Sequence, residues 1–450
     1  MPPSDSAILR SAQPGGVLPA DEPTTGAADE SPGESSGDIG AEATRKARAA
    51  ATATARLYDV SFVLAILAQT SFVIGNTLMA HHSRWVTFLG GTQTDVGWVR
   101  GFGAVAGMAL RPLIGQWINR FGAQRIWFLG FVVFGVGAGG NLFVTTVGPL
   151  LYFYWALNAI GAALVFAASL TYAVHSYPER RTEAIGILGV GGFLGMIFGP
   201  FSGDLILGVG ERSRGDFEFL FIMACVALVV PALIMFALRR PDVRRVEKTT
   251  GFSEFLAISM RFWPGAIVYV AIAFGVCMTA PFVFLPNYID ADRLHLPVSP
   301  IGLFFCCYAG WGVTLRVVLR RLPDHIGRRK VLMTGMSIMA VGMISFVLVT
   351  RENPWLLAAP GLICGTAHSL IFHTMSSLSI EKFPNEYRGT GSALTLMMMD
   401  LGMVAGAPLL GAIADTWGFR SMFLAISACS LGAVAIYVRD SLPIWRAKSA

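Results

Sequence analysis

From residue 57 onward the sequence is divided into twelve long apolar runs. They fall at 57–80, 95–117, 124–145, 150–174, 183–208, 217–239, 262–287, 298–320, 329–350, 355–380, 388–413 and 420–439. A helix needs roughly 20 such residues to cross the hydrocarbon layer of a bilayer. Backbone N–H and C=O groups in lipid have no water to bond, so runs of this length must close their hydrogen bonds internally, as helices. The pattern predicts an all-α integral membrane protein with twelve transmembrane helices. Composition agrees, because only 14% of the 450 residues are charged, against about 25% in soluble domains. A net charge of +6 would suggest nucleic acid in a soluble chain. Here the basic residues sit between apolar runs, so topology explains them. The expected partner is the lipid bilayer, with no nucleic acid.

Residues 1–50 are rich in Pro, Gly, Ser, Ala and acids and nearly free of aromatics. Such a segment buries too little surface to fold, and a disordered cytoplasmic tail is expected. No secretory signal precedes the first run. With the N-terminus inside, the inner loops and C-terminus hold about 20 Lys and Arg, and the outer loops hold six: Arg84, Arg212, Arg214, Arg293, Arg351 and Arg420. That bias places both termini in the cytoplasm of a bacterial inner (plasma) membrane protein. The longest inner loop, around 239–250, separates six spans from six. The expected organisation is an N-terminal half at 57–239, a central loop at 240–261, a C-terminal half at 262–439 and a tail at 440–450. The six cysteines lie in apolar runs and read as packing residues.

The halves repeat each other. Arg111, Gly115, Asn119 and Gly122 close the second run, and Arg316, Arg320, Asp324 and Gly327 close the eighth, 205 residues on. Gly199-Pro200 and Ala407-Pro408 repeat at an offset of 208. Two parallel six-helix halves with a site between them at mid-membrane are the arrangement such repeats produce.

On these residues the chain resembles the major facilitator superfamily, over roughly 57–440. The superfamily's loop between the second and third helices reads G-x-x-x-D-R-x-G-R-[KR]. This chain has Gly115, Asn119, Arg120 and Gly122, with Asn in place of Asp, and its second copy has Asp324, Gly327, Arg328 and Arg329. The resemblance implies a cytoplasmic latch formed by these residues, with Arg111 and Arg316 pairing with acids of the loop motifs. The fifth run, Gly186-x8-Gly195-x3-Gly199-Pro200-x2-Gly203, is similar to the glycine-proline motif of proton-driven exporters, except that Asp204 replaces its last glycine. Glycines four apart let helices approach closely. The tenth and eleventh runs, "GTAHSLIFH" and "MMMDLGMVAGAPLLG", are similar to a subgroup of bacterial efflux permeases.

Asp400 lies twelve residues into the eleventh run, about 18 Å along a helix and near mid-membrane. Acids at that depth mark ion or substrate pathways, or else bond a neighbouring helix. His368 sits at similar depth and changes charge near neutral pH, so a proton relay with Asp400 is one reading and a neutral, satisfied histidine the other. Asn76, Tyr172, Met398 and Arg100 are candidate cavity residues. Met398 belongs to a soft run that suits varied apolar ligands, and Arg100 would sit in an outer vestibule. His81-His82, placed in the first outer loop, has no accompanying cluster, so no metal is assigned. No phosphate-binding loop is present and no cofactor is implied.

The reading is a non-enzymatic secondary transporter, expected as a monomer. Its leading form is a proton-coupled exporter of small apolar or amphipathic molecules by alternating access. The alternatives are a proton-coupled importer or facilitator of an organic acid or sugar, a lipid translocator, or a non-transporting receptor on the same fold.

Overall fold

A computed structural model describes residues 59–177, 181–208, 210–238, 251–319, 322–384 and 387–449. Ten helical segments among them are long and apolar enough to cross a membrane. The second span, Gln93–Phe121, is also a continuous helix, but it carries Asp95, Arg100, Arg111 and Arg120 and so is less apolar. The eleventh and twelfth spans run as one helix, Arg388–Ser449, broken at Gly418 (φ 79°). The twelve expected spans are thus accounted for. The central loop differs from expectation. It contains a helix, Phe252–Arg261, whose Phe255 and Ile258 pack on Phe383 and Leu394 at the start of the eleventh span. Apolar residues three apart give this short segment a buried stripe, which a window sized for membrane spans passes over.

Polar residues at the run boundaries start the helices. Asp59 accepts the Phe62 N–H at 2.8 Å. Thr92 with Asp95 and Ser213 with Asp216 form capping boxes on the second and sixth spans. Ser299 accepts the Gly302 N–H at 2.7 Å on the eighth. Each satisfies N–H groups that have no partner within the helix. The seventh and eighth spans carry π-helical turns at Ala280–Phe284 and Cys306–Gly310, a local widening often found at functional positions.

Within the N-terminal half the first span packs on the fifth and sixth, and the third on the fourth. In the C-terminal half the seventh packs on the eleventh and the ninth on the tenth. The halves meet along two seams, second span against eleventh and fifth against eighth. Each seam is tight at the face away from the termini. There Gly97 lies against the Ala407 backbone, Gly101 against Val404 and Gly411 against Gln93, while Gly302 touches Phe201. Toward the terminal face the seams part. Gly115, Gly186, Gly189 and Gly192 have open space where a side chain would project, and Leu113, Asn119 and Arg120 are exposed. The seams are closed at the far face, and toward the face bearing the termini these positions are uncovered.

Candidate functional site

Among the described residues the second–eleventh seam carries one ion pair. Arg111 Nε donates to Asp400 Oδ2 at 2.5 Å, with the two side chains 25% and 23% exposed. Arg111 is ten residues from the end of its helix and Asp400 twelve from the start of its own, so both lie about 15–18 Å from the terminal face. The sequence reading placed Arg111 at the helix end, in the latch. The helix runs on to Phe121, which lifts Arg111 into the seam and gives it Asp400 as partner. Met398, half-buried, joins the cluster formed by Phe255, Ile258 and Leu394 just below.

The fifth–eighth seam repeats this geometry without the acid. Arg316 stands over the Phe193 ring of the fifth span at 4.4 Å. Phe193 precedes Asp400 by 207 residues, close to the repeat offset. Each half therefore sends an arginine across a seam, one to a carboxylate and one to an aromatic face. Arg316 Nε is buried without a partner. Beside it, His368 Nδ1 bonds the Tyr308 hydroxyl, and its ring meets Phe274 edge-on at 5.3 Å. His368 and Asp400 thus have different partners on different seams, and the structure shows no direct relay between them.

Two other cavity candidates turn out to be packing residues. Tyr172 is 1% exposed and tilts against Trp127 at 5.7 Å. Arg100 is in no vestibule. It is buried, donates to the carbonyls of Met79 (3.0 Å) and Ala80 (3.4 Å), and covers Trp155 at 3.9 Å. Its first-span partners are hidden from sequence reading because the helix continues through Met79–His81 into His82–Phe88. The same continuation removes His81 and His82 from the expected loop and buries both fully. Asn76 is half-buried in the first span.

Of the latch residues, Gly122 (φ 89°) and Gly327 (φ 90°) form matching turns that favour glycine. Arg120 covers its neighbour Phe121 at 5.3 Å, and Arg328 and Arg329 begin the ninth span. The side chain of Asp324 lies outside the described residues. The fifth-span glycines do pack on the first span: Gly195 on Val73, Gly199 on Ile74 and Thr77, Gly203 on His81. Thr77 donates to the Gly195 carbonyl at 3.0 Å, and His81 Nε2 bonds that of Pro200 at 3.1 Å. Gly186 does not belong to this contact; its place is taken by Gly191, four residues before Gly195, against Thr70 and Ile66.

A second charged group, which sequence reading missed, ties the halves together at the far face. Arg84 is 3% exposed. It donates to Asp204 at 2.6 Å and, through Nε and Nη2, to Asp290 at 2.9 Å each. Asp290 also accepts from Arg212 at 2.7 and 3.0 Å. Asp204 takes the Ser299 hydroxyl at 2.6 Å and the Ile301 N–H at 3.1 Å. First and fifth spans are thereby bonded to seventh and eighth. A further link is made by Asp415, which accepts from the backbones of Gln93 (2.9 Å) and Thr94 (2.7 Å). The available signal was Asp204 standing where the motif has glycine, together with acids and arginines at the ends of runs that should meet.

Two six-span halves that meet along charged seams and are bonded together at the far face define a membrane transporter fold. The sequence profile of the Major Facilitator Superfamily matches residues 59–350 and 291–449, and the chain belongs to that family. It is 23% identical over 377 residues to the staphylopine export protein of Staphylococcus aureus, covering 79% of this chain and 88% of that one. It is 24% identical over 324 residues to monocarboxylate transporter 10 of Rattus norvegicus, covering 68% of this chain and 62% of that one. Its fold is shared with the nucleoside transporter NupG, with a TM-score of 0.68 at 14% identity, covering 85% of this chain and 99% of that one.

Proposed function

We propose that this multi-pass transporter is a proton-coupled exporter of small apolar or amphipathic molecules. It would act as a monomer in a bacterial inner membrane with both termini in the cytoplasm. The observation that carries the reading is the Arg111–Asp400 pair, which joins the two halves while both side chains stay partly exposed. A proton on Asp400 cancels the charge that Arg111 holds. A hydrogen bond to a charged group contributes about 1.5–3 kcal/mol, so its loss would change the balance of open and closed forms on the order of 10- to 100-fold. Coupling needs only that the proton favour one form over the other. In this scheme the Arg111–Asp400 pair supports the form seen here, and a proton on Asp400 shifts the balance away from it. The half-buried Met398 and Asn76 would line the path. The glycine-proline face of the fifth span and the similarity to the staphylopine export protein favour export.

The test is accumulation of fluorescent and antibiotic probes in an efflux-deficient bacterium. Cells with the protein should accumulate less of at least one probe, and Asp400→Asn or a protonophore should each abolish the difference. Protonophore-insensitive export, or export intact in Asp400→Asn at equal membrane abundance, would rule out coupling through Asp400.

A second reading is favoured by Arg316. A guanidinium on a seam, with a buried unsatisfied Nε and no acid across from it, would suit a carboxylate-bearing metabolite as cargo. Under this reading Arg316→Gln would abolish transport of organic acids and spare neutral probes. Equal losses for both would exclude it.

A further inference from the structure

At the far face a cavity of about 650 Å³ opens beside the Arg84–Asp204–Asp290 network. Its walls are of two kinds. One is cationic, with Arg212, Arg293 and Arg351. The other is apolar, with Phe201, Leu205 and Val298, which are 39%, 68% and 46% exposed. The two carboxylates at its floor are already engaged, Asp204 by Arg84 and Ser299, and Asp290 by Arg84 and Arg212. Among the described residues Arg293 and Arg351 have no ion pair. Arg212 keeps its Nε buried and unbonded. The cavity thus carries positive charge that the protein does not neutralise.

The backbone at Arg293 adds a second, independent observation. It has φ +50° and is the one non-glycine residue with positive φ among those described. Its N–H bonds the Asp290 carbonyl and the Leu294 N–H bonds that of Ile289. This is the helix-ending turn in which glycine ordinarily holds that position. Glycine would close the turn with less strain, and what it would lack is the guanidinium. Strain held at one residue points to a use for its side chain.

We propose that this cavity seats the headgroup of an anionic phospholipid from the far leaflet. The phosphate would take the free donors of Arg293 and Arg351, and guanidinium forks suit phosphate oxygens. The acyl chains would lie along Phe201, Leu205 and Val298, at the end of a membrane-spanning helix. The site shares its floor, Asp204 and Asp290, with the network that joins the halves at the far face, and does not include Arg111 or Asp400.

The experiment is thermal unfolding of the purified full chain in neutral detergent, titrated with phosphatidylglycerol, phosphatidylcholine or inorganic phosphate. The variant is Arg293→Gly combined with Arg351→Gln, which relieves the turn and leaves Arg84 and Arg212 in place. Without lipid its midpoint should equal or exceed that of the wild type, since the turn is relieved. Phosphatidylglycerol should raise the wild-type midpoint and require at least tenfold more lipid for half its effect in the variant. Phosphatidylcholine should act weakly and equally on both. Equal phosphatidylglycerol responses in the two proteins, or phosphatidylcholine as effective as phosphatidylglycerol, would overturn the proposal. So would inorganic phosphate producing the whole shift, since the apolar wall would then have no part.

Discussion

Replacing Arg84 with Met should open the far face. The side chain makes two hydrogen bonds to Asp290 across the halves, at 2.9 Å each, and one to Asp204 within its own half, at 2.6 Å. The two bonds that cross the halves would nominally contribute about 3–6 kcal/mol. The net effect is smaller, because Asp290 is 33% exposed and keeps Arg212, while Asp204 keeps Ser299 and the Ile301 N–H. Once the face opens, water also reaches the freed groups. A net change of about 2–3 kcal/mol remains against the closed form, comparable to the loss of one partner in a partly hydrated pair. That corresponds to roughly a 30- to 150-fold shift in the closed-to-open ratio. The measurement is a pulsed electron spin resonance distance between labels at Thr146 and Glu352, exposed far-face residues of opposite halves. Wild type should give mainly a short distance. Arg84→Met should give a substantially populated longer one. Arg214→Gln removes the exposed pair with Glu218 inside a single half and should leave the distribution unchanged. An unshifted distribution in folded Arg84→Met would refute the claim that this network holds the face closed.

Three further outcomes follow from the packing. Gly97→Val should sharply reduce transport and favour the far-open form by the same distance measurement, because the Ala407 backbone occupies the space a side chain needs; Gly115→Ala, facing open space, should be near neutral in both. Gly199→Leu should destabilise the N-terminal half by several kcal/mol in thermal unfolding, since Thr77 and Ile74 lie against it, whereas Gly186→Ala should move the midpoint little. Arg100→Ala should cost about 2–4 kcal/mol of stability through lost stacking on Trp155 and two unsatisfied carbonyls, with no change in the specificity of the remaining transport.

Span number and the repeat were legible because lipid imposes them residue by residue, through run length and the need to satisfy every backbone group. The site was legible only where one residue violates that rule alone. Asp400 stands out as an acid at mid-membrane, and the structure gives it a seam position. Its partner was misassigned because helix ends drawn from apolar runs fall short when the last turns are polar; the second span runs on past Asn119 and Arg120. That shift of a few residues separates a latch arginine from a seam arginine. The far-face network was hidden for a different reason. Arg84, Asp204 and Asp290 lie in three separate spans, and each taken alone reads as an ordinary charge near a membrane surface. Only the packing brings both carboxylates within 3 Å of Arg84. The two kinds of charge also have different physical roles. At the far face each carboxylate is held by several donors at once, so the face opens only when many bonds break together, which suits a gate. On the second–eleventh seam a single bond joins two partly exposed groups, which suits the proton coupling proposed above. Arg84→Met should therefore alter which face is open without removing proton dependence, while Asp400→Asn should remove proton dependence and leave the Thr146–Glu352 distance of the closed form intact.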